Sequence, residues 1–105
     1  MKVKAKMRYI NKWVYGKLVK KEYLKECVDD EVEGLRAIDP CTISEETNVT
    51  NANGTKIFVN DIVSRRFKRG VVVKKYGKYY IKWSSKNIEL LTNNMEIDIL
   101  GNKFE

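Results

Sequence analysis

Residues 42–63 read TISEETNVTNANGTKIFVNDIV, and no other run of the chain restricts the backbone as tightly. Asn53 and Gly54 both tolerate positive φ at little cost, so the pair marks a tight turn. Asn60-Asp61 marks a second one, because short polar side chains bond their own backbone and reverse the chain. The apolar cluster Ile57, Phe58, Ile62 and Val63 is threaded through these turns. The result is a tight corner that feeds a strand over 61–66. This is architecture and carries no chemistry of its own.

Downstream, short extended segments alternate with turn signals. Lys68-Arg69-Gly70 reads as the turn after the 61–66 strand. Residues 71–75 and 79–83 then form a hairpin about Tyr76-Gly77-Lys78. Facing Val73 with Ile81, Val71 with Trp83 and Lys75 with Tyr79 gathers apolar residues on one side. Val72, Lys74, Tyr80 and Lys82 are left on the other. Two further short strands, 88–91 and 96–100, flank Asn93-Asn94, and Gly101-Asn102 ends the last. This many short strands in about fifty residues fits a bent antiparallel meander, of which an SH3-like partial barrel is the natural form. The fold class expected is all-β.

The first forty residues add strands to it or form a second small sheet. Val3, Ala5 and Met7 alternate with Lys2, Lys4 and Lys6, the period of a half-buried strand whose lysines would blunt an edge. Residues 13–19 are β-rich around Gly16, a candidate bulge. Residues 17–28 carry both a helical stripe and a strand alternation, so one short helix there is the alternative to a strand. Asp29-Asp30-Glu31 with Glu33-Gly34 reads as a solvated turn between Cys27 and Leu35. It has neither the glycine nor the closing glutamate of an EF-hand loop. Pro40 marks the passage between residues 1–40 and 41–105, which are read together as one domain.

The 105 residues carry a net charge of +7, and its distribution says more than its total. Residues 1–25 hold nine Lys/Arg against Glu22 alone. Residues 26–61 hold nine acids against Arg36 and Lys56. Residues 62–86 hold nine Lys/Arg and no acid, and 87–105 hold four acids and Lys103. Blocks of alternating sign mean either internal pairing or separate charged faces. Cys27 and Cys41 are the only cysteines and histidine is absent, so a four-ligand zinc site of Cys and His cannot be assembled within one chain. Both are read as ordinary half-buried thiols. No cofactor or metal is expected. The start MKVKAKMRYI lacks the apolar run of a signal peptide and no segment reaches transmembrane length, so a cytoplasmic location is expected.

The order Thr42, Thr47, Asn48, Asn51, Asn53, Gly54, Ile57, Phe58, Asp61, Ile62, Val63 resembles the signature of the YopX family, small proteins of bacteriophages and prophages. Ile38-Asp39-Pro40 is similar to that family's entry to the signature. The chain end, with Gly101-Asn102, is similar to its closing Ile-Gly-Asn-x-Tyr element. Asn48 stands where the family has glycine, and Asn51 where it has aspartate. The resemblance favours a strand pair leading into Ile38-Asp39-Pro40 and implies a phage accessory protein in the host cytoplasm. It supplies no mechanism, because the family has no agreed biochemical activity.

Three function classes are open to such a chain. Acid–base catalysis at neutral pH usually recruits histidine, which is missing, and there is no nucleophile elbow or phosphate loop. Only Asp61 and Asp98 sit in apolar settings, and Asp61 is explained by turn formation. An enzyme is therefore not expected. Nucleic-acid binding would use the acid-free segment: Arg65, Arg66, Lys68, Arg69, Lys74, Lys78, Tyr80 and Lys82, with lysines and a tyrosine on one β-face. A protein-interaction module needs only the opposite-sign blocks and an exposed strand edge. The expected function is a non-enzymatic module binding a host or phage protein, with sequence-nonspecific nucleic-acid binding as the alternative. Self-association into a homo-oligomer stays open, and no membrane partner is expected.

Overall fold

A computed structural model describes residues 2–20, 22–28 and 31–105, with the backbone alone at 27, 28 and 31–33. Within it the chain forms β1 (Lys2–Lys6), β2 (Trp13–Lys20), β3 (Tyr23–Val28), β4 (Glu31–Ala37), a 3-10 turn (Pro40–Thr42) and β5 (Ser44–Thr50). There follow β6 (Lys56–Phe58), β7 (Asp61–Arg65), β8 (Lys68–Lys75), β9 (Lys78–Ser84), β10 (Asn87–Leu90) and β11 (Asp98–Asn102). The fold is all-β, with antiparallel sheets. Within 17–28, residues 17–20 and 23–28 are strand and none of the described residues is helical. The chain divides into two compact units, Met1–Glu46 and Thr47–Glu105, so the boundary lies six residues beyond the expected one at Pro40. The reason is that Ser44 and Glu45 pair with Lys4 and Val3 of β1, and Lys6 N–H donates to the Thr42 hydroxyl at 2.9 Å.

In the first unit the strand order is β4-β3-β2-β1-β5. The alternation in β1 works as expected: Val3 and Ala5 are buried against Val14, Leu24 and Ile38, and Met7, Leu18 and Ile43 pack around them. Burying each such aliphatic side chain stabilises by about 1.5–3 kcal/mol. Four expectations need correction. β1 is not an edge, because it lies between β2 and β5. The bulge in β2 falls between Leu18 and Lys20, not at Gly16, which is buried between Val3 and Glu26 in the ladder. Glu31, Glu33 and Gly34 belong to β4, not to a turn. The ladder shifts between Glu26 and Cys27, so an extra β4 residue is absorbed beside Gly34, whose φ is 135°. Asp29 and Asp30, the centre of the acidic cluster, lie outside the described residues, as does the Cys27 side chain. Cys41 is exposed, not half-buried, because it sits in the 3-10 turn capped by Asp39, whose Oδ1 accepts from Cys41 N–H at 3.0 Å.

The second unit is built on the order β10-β9-β8-β7-β11. Its core is Ile57, Val63, Val72, Ile81, Leu91 and Ile97, with Val49, Tyr79, Trp83, Met95 and Ile99 packed against it. The turn residues of the 42–63 run behave as read. Asn48 has φ 63° and Gly54 φ 80°. Asn51 is buried and its amide organises the corner: Oδ1 accepts from Asn53 N–H (3.0 Å) and Thr55 N–H (2.9 Å), and Nδ2 donates to Ile97 O (3.0 Å). Asp61, fully buried, accepts from Phe58 N–H at 2.8 Å and from Asn102 Nδ2 at 3.1 Å. Phe104 N–H in turn donates to Asn102 Oδ1 at 3.1 Å. Asp98, by contrast, is exposed and lies opposite Ser64.

Two hairpins depart from the sequence reading in the same way. Both loops of β8 have two residues: Arg66-Phe67 (φ 48° and 69°) and Tyr76-Gly77 (φ 53° and 77°), the left-handed pair that a type I′ turn requires. Lys68, Arg69 and Gly70 are therefore strand, and Lys75 faces Lys78. The register is Val72 with Ile81, Val73 with Tyr80 and Lys74 with Tyr79, one residue from the expected pairing. A one-residue slip turns a strand over. β9 keeps Ile81 and Trp83 toward the core as expected, whereas β8 presents Gly70 and Val72 to the core and Val71 and Val73 to the other side.

Candidate interaction surfaces

The basic residues named from the sequence do not form one site. Strand rise is about 3.4 Å per residue, so the two ends of β8 are roughly 24 Å apart. Arg66 and Lys68 are exposed at one end, and Lys78 is exposed at the other. Arg65 is engaged: its guanidinium donates to both carboxylate oxygens of Glu89, at 2.6 and 3.3 Å, and lies 4.9 Å from the Trp83 ring centre. Trp83 Nε1 donates to the same carboxylate at 3.0 Å. The hydrogen bond from Arg65 is the main cause that holds the Glu89 carboxyl below its ordinary 4.5, and the same bond raises Arg65. Lys74 is on the core side of β8, its ammonium 5.7 Å from the Tyr79 ring. It is not beside Tyr80 and Lys82 as expected. Of the named set, Arg69, Lys78, Tyr80 and Lys82 share the outer face.

That face is more apolar than its sequence neighbourhood suggests. One cross-strand row runs Ile62, Val71, Lys82, Ile88, and the next runs Val73, Tyr80, Leu90. Ile88 is 42% exposed and Leu90 50%, and Leu100 beyond β7 is 49% exposed. Residues directly opposite on a sheet lie about 5 Å apart, so these side chains make one contiguous patch. Arg69 flanks it beside Ser64, and at the β11 margin a shallow depression is lined by Ile62, Leu100, Arg69, Lys103 and Glu105. A signal for this patch was present in the triplet Val71-Val72-Val73. Three consecutive valines cannot all face one side of a strand, so one face of β8 always carries apolar residues away from the core.

Of the signature residues, Ile57, Phe58, Asp61 and Asn102 are buried, Ile62 and Gly101 are half-buried, and Asn53 and Gly54 are exposed in their turn; their contacts are those of a scaffold. Ile62 and, opposite it, Gly101 are the two on the outer face. In the first unit, Lys2, Lys17 and Lys25 form a row across three strands, Lys4 lies opposite Tyr15, and Lys6 opposite Trp13. This face was missed because the acid-free segment 62–86 drew the reading away from the equally basic start. Among the described residues no group of three Cys, Asp or Glu is placed to hold a metal ion, and no helix is long and apolar enough to cross a membrane.

The class these observations define is an all-β chain of two small antiparallel units, with an apolar sheet face on one and a lysine-aromatic face on the other. Comparison with known proteins adds no family to it: no family model, no curated protein and no solved structure matches the chain.

Proposed function

We propose that this protein is a non-enzymatic binding module that seats a partner protein on the outer face of the β7–β10 sheet. The observation that carries the reading is the pair of cross-strand rows through Ile62, Val71, Ile88 and Val73, Tyr80, Leu90. A contiguous exposed apolar patch bordered by polar residues is the usual mark of a protein interface. Arg69 and Lys82 select for a partner whose own apolar patch is bordered by carboxylates. Five of the six apolar positions in these rows are aliphatic and Tyr80 alone offers a ring to a base, so the face suits an apolar protein surface better than a run of stacked bases. The YopX-like signature supports a phage accessory protein acting on a host or phage protein in the bacterial cytoplasm. Five short strands in one sheet, the last folded back beside the first, support an SH3-like partial barrel for residues 61–102.

The test is site-specific photo-crosslinking in bacterial lysate from a probe at Leu90, compared with a probe at Ser85. A discrete adduct from Leu90 alone, abolished by Lys82→Glu, is the expected result. Adducts of equal yield from both positions, or an adduct only with a second copy of this chain, overturn the reading.

A further inference from the structure

We propose that the end of the second unit's sheet that carries Phe67 binds single-stranded nucleic acid, the ring stacking on an unpaired base while Arg66, Lys68 and Lys86 meet phosphates. The inference is independent of the protein-binding reading, which uses the outer face of the same sheet and not its end. Its basis is a residue that the fold alone does not favour. Phe67 is fully exposed and its φ is 69°, so the ring returns no packing for a left-handed backbone that costs such a residue. The turn itself does not demand a ring. The other two-residue turn of β8 has Gly77 at the corresponding position, with φ 77°, and glycine adopts that conformation freely. Backbone strain of this kind gathers at points that contact a ligand.

The charges around the ring fit a polyanion. Arg66 precedes it and Lys68 follows it, both exposed. The β9–β10 turn, Ser85-Lys86, lies at the same end of the sheet, because β9 runs antiparallel to β8 and beside it. It adds Lys86, also exposed. Among the described residues none of these three cations makes an ion pair. Glu89, on β10, is already held by Arg65 and by Trp83 Nε1. Glu96 and Asp98 are exposed, but they belong to β11 and its approach, on the far side of β7 from β8 and β9, and neither pairs with the three. Arg69 is left out of the set because it shares the depression beside Leu100 with Glu105. One ring with a cation on either side repeats the order of a nucleotide chain, base and phosphate in turn. A bilayer interface is entered by several apolar side chains together, and both chain neighbours of Phe67 are charged. A duplex keeps its base faces inside the stack, and a wedge must first unstack them.

The experiment is fluorescence anisotropy of labelled twelve-nucleotide dT and rU strands with the full chain at 50 and 200 mM salt. Binding at the lower salt that weakens steeply at the higher is expected. Phe67→Ala should weaken it about tenfold at 50 mM, while Phe67→Tyr, which keeps the ring, should not. An unchanged urea midpoint for Phe67→Ala, whose ring packs on nothing, separates a lost contact from a lost fold. Arg66→Gln with Lys86→Gln should flatten the log–log salt slope by about 1.4, two single-strand phosphate contacts at about 0.7 each. Leu90→Ser on the outer face should leave strand binding close to wild type, and Phe67→Ala should leave the Leu90 crosslink in place, so either reading can fail without the other. The proposal fails if no strand binds at 50 mM salt, if Phe67→Ala binds like wild type, or if the glutamine pair keeps the full salt slope. It also fails if a duplex of the same sequence, polyglutamate or an anionic vesicle competes as well as the single strand.

Discussion

Asn102 donates its side-chain amide to Asp61 Oδ1 at 3.1 Å across 41 residues of sequence, while Asp61 Oδ2 accepts from Phe58 N–H at 2.8 Å. One buried carboxylate thus ties the start of β7 to both the corner before it and the last strand. Asp61→Ala leaves the Phe58 N–H and the Asn102 amide without this acceptor in a dry site, and should cost about 3 kcal/mol. Asp61→Asn keeps the shape but must point an NH₂ group at one of two donors, so a loss of about 2 kcal/mol is expected. Urea unfolding followed through Trp83 in a Trp13→Phe background measures both. Equal stability of Asp61→Asn and wild type would show that the network is not what holds the corner.

Gly70 and Gly77 lie at different points of the same hairpin for different reasons. A Cβ at Gly70 would stand 2.7 Å from Ile81 Cγ2 and 2.9 Å from Trp83 Cε3, while one at Gly77 meets nothing within 4 Å. Gly70→Ala should therefore cost about 2–3 kcal/mol through overpacking. Gly77→Ala should cost only about 1 kcal/mol, for its φ of 77°. Thermal unfolding of the two variants side by side checks the order, and a reversal would mean that the indole moves aside freely.

Much of this was legible in the residues and some could not be. Asn53-Gly54, Asn48 and Asp61 announce their roles because a turn is decided by a residue's own backbone and nearest neighbours. The inward positions of Val3, Ala5, Ile81 and Trp83 follow from alternation. The register of β8 against β9 was missed by one residue. Tyr76-Gly77 and Tyr76-Gly77-Lys78 are equally plausible loops on paper, and an all-valine triplet gives no pattern by which to choose a face. That single residue decides whether Lys74 joins Tyr80 and Lys82. The fate of Arg65 was equally hidden, since its partner Glu89 is 24 positions away and in a block of opposite sign.

The Arg65–Glu89 pair has a pH signature. Its hydrogen bond holds the Glu89 carboxyl in the folded protein below the ordinary 4.5. A carboxyl depressed by folding contributes stability that is complete above the unfolded value and is lost as pH falls through the folded one. The contribution should thus be intact at pH 6 and decline below about 4.5. Both side chains remain more than a third exposed, at 36% and 38%, so screening limits the effect to under about 1 kcal/mol. Glu89→Gln should lose that amount at pH 6 and less at pH 3. Chemical denaturation at the two values tests it, and a penalty that grows on acidification contradicts the assignment.

Arg66 and Phe67 occupy a turn that suits neither residue. Both have positive φ, and Phe67 projects fully into solvent, so its ring gains nothing from packing that would offset the backbone. The left-handed conformation costs an ordinary L-residue roughly 1–2 kcal/mol, whereas Asn and Gly adopt it readily. Replacing the pair by Asn-Gly keeps the two-residue loop and its twist. The exchange should stabilise the second unit by about 1 kcal/mol or more, since glycine's freedom in the unfolded chain offsets part of the gain. A higher urea midpoint with an unchanged slope would confirm that the native turn is strained and the register unaltered. A lower midpoint would mean that Arg66 or Phe67 makes a contact worth more than the strain.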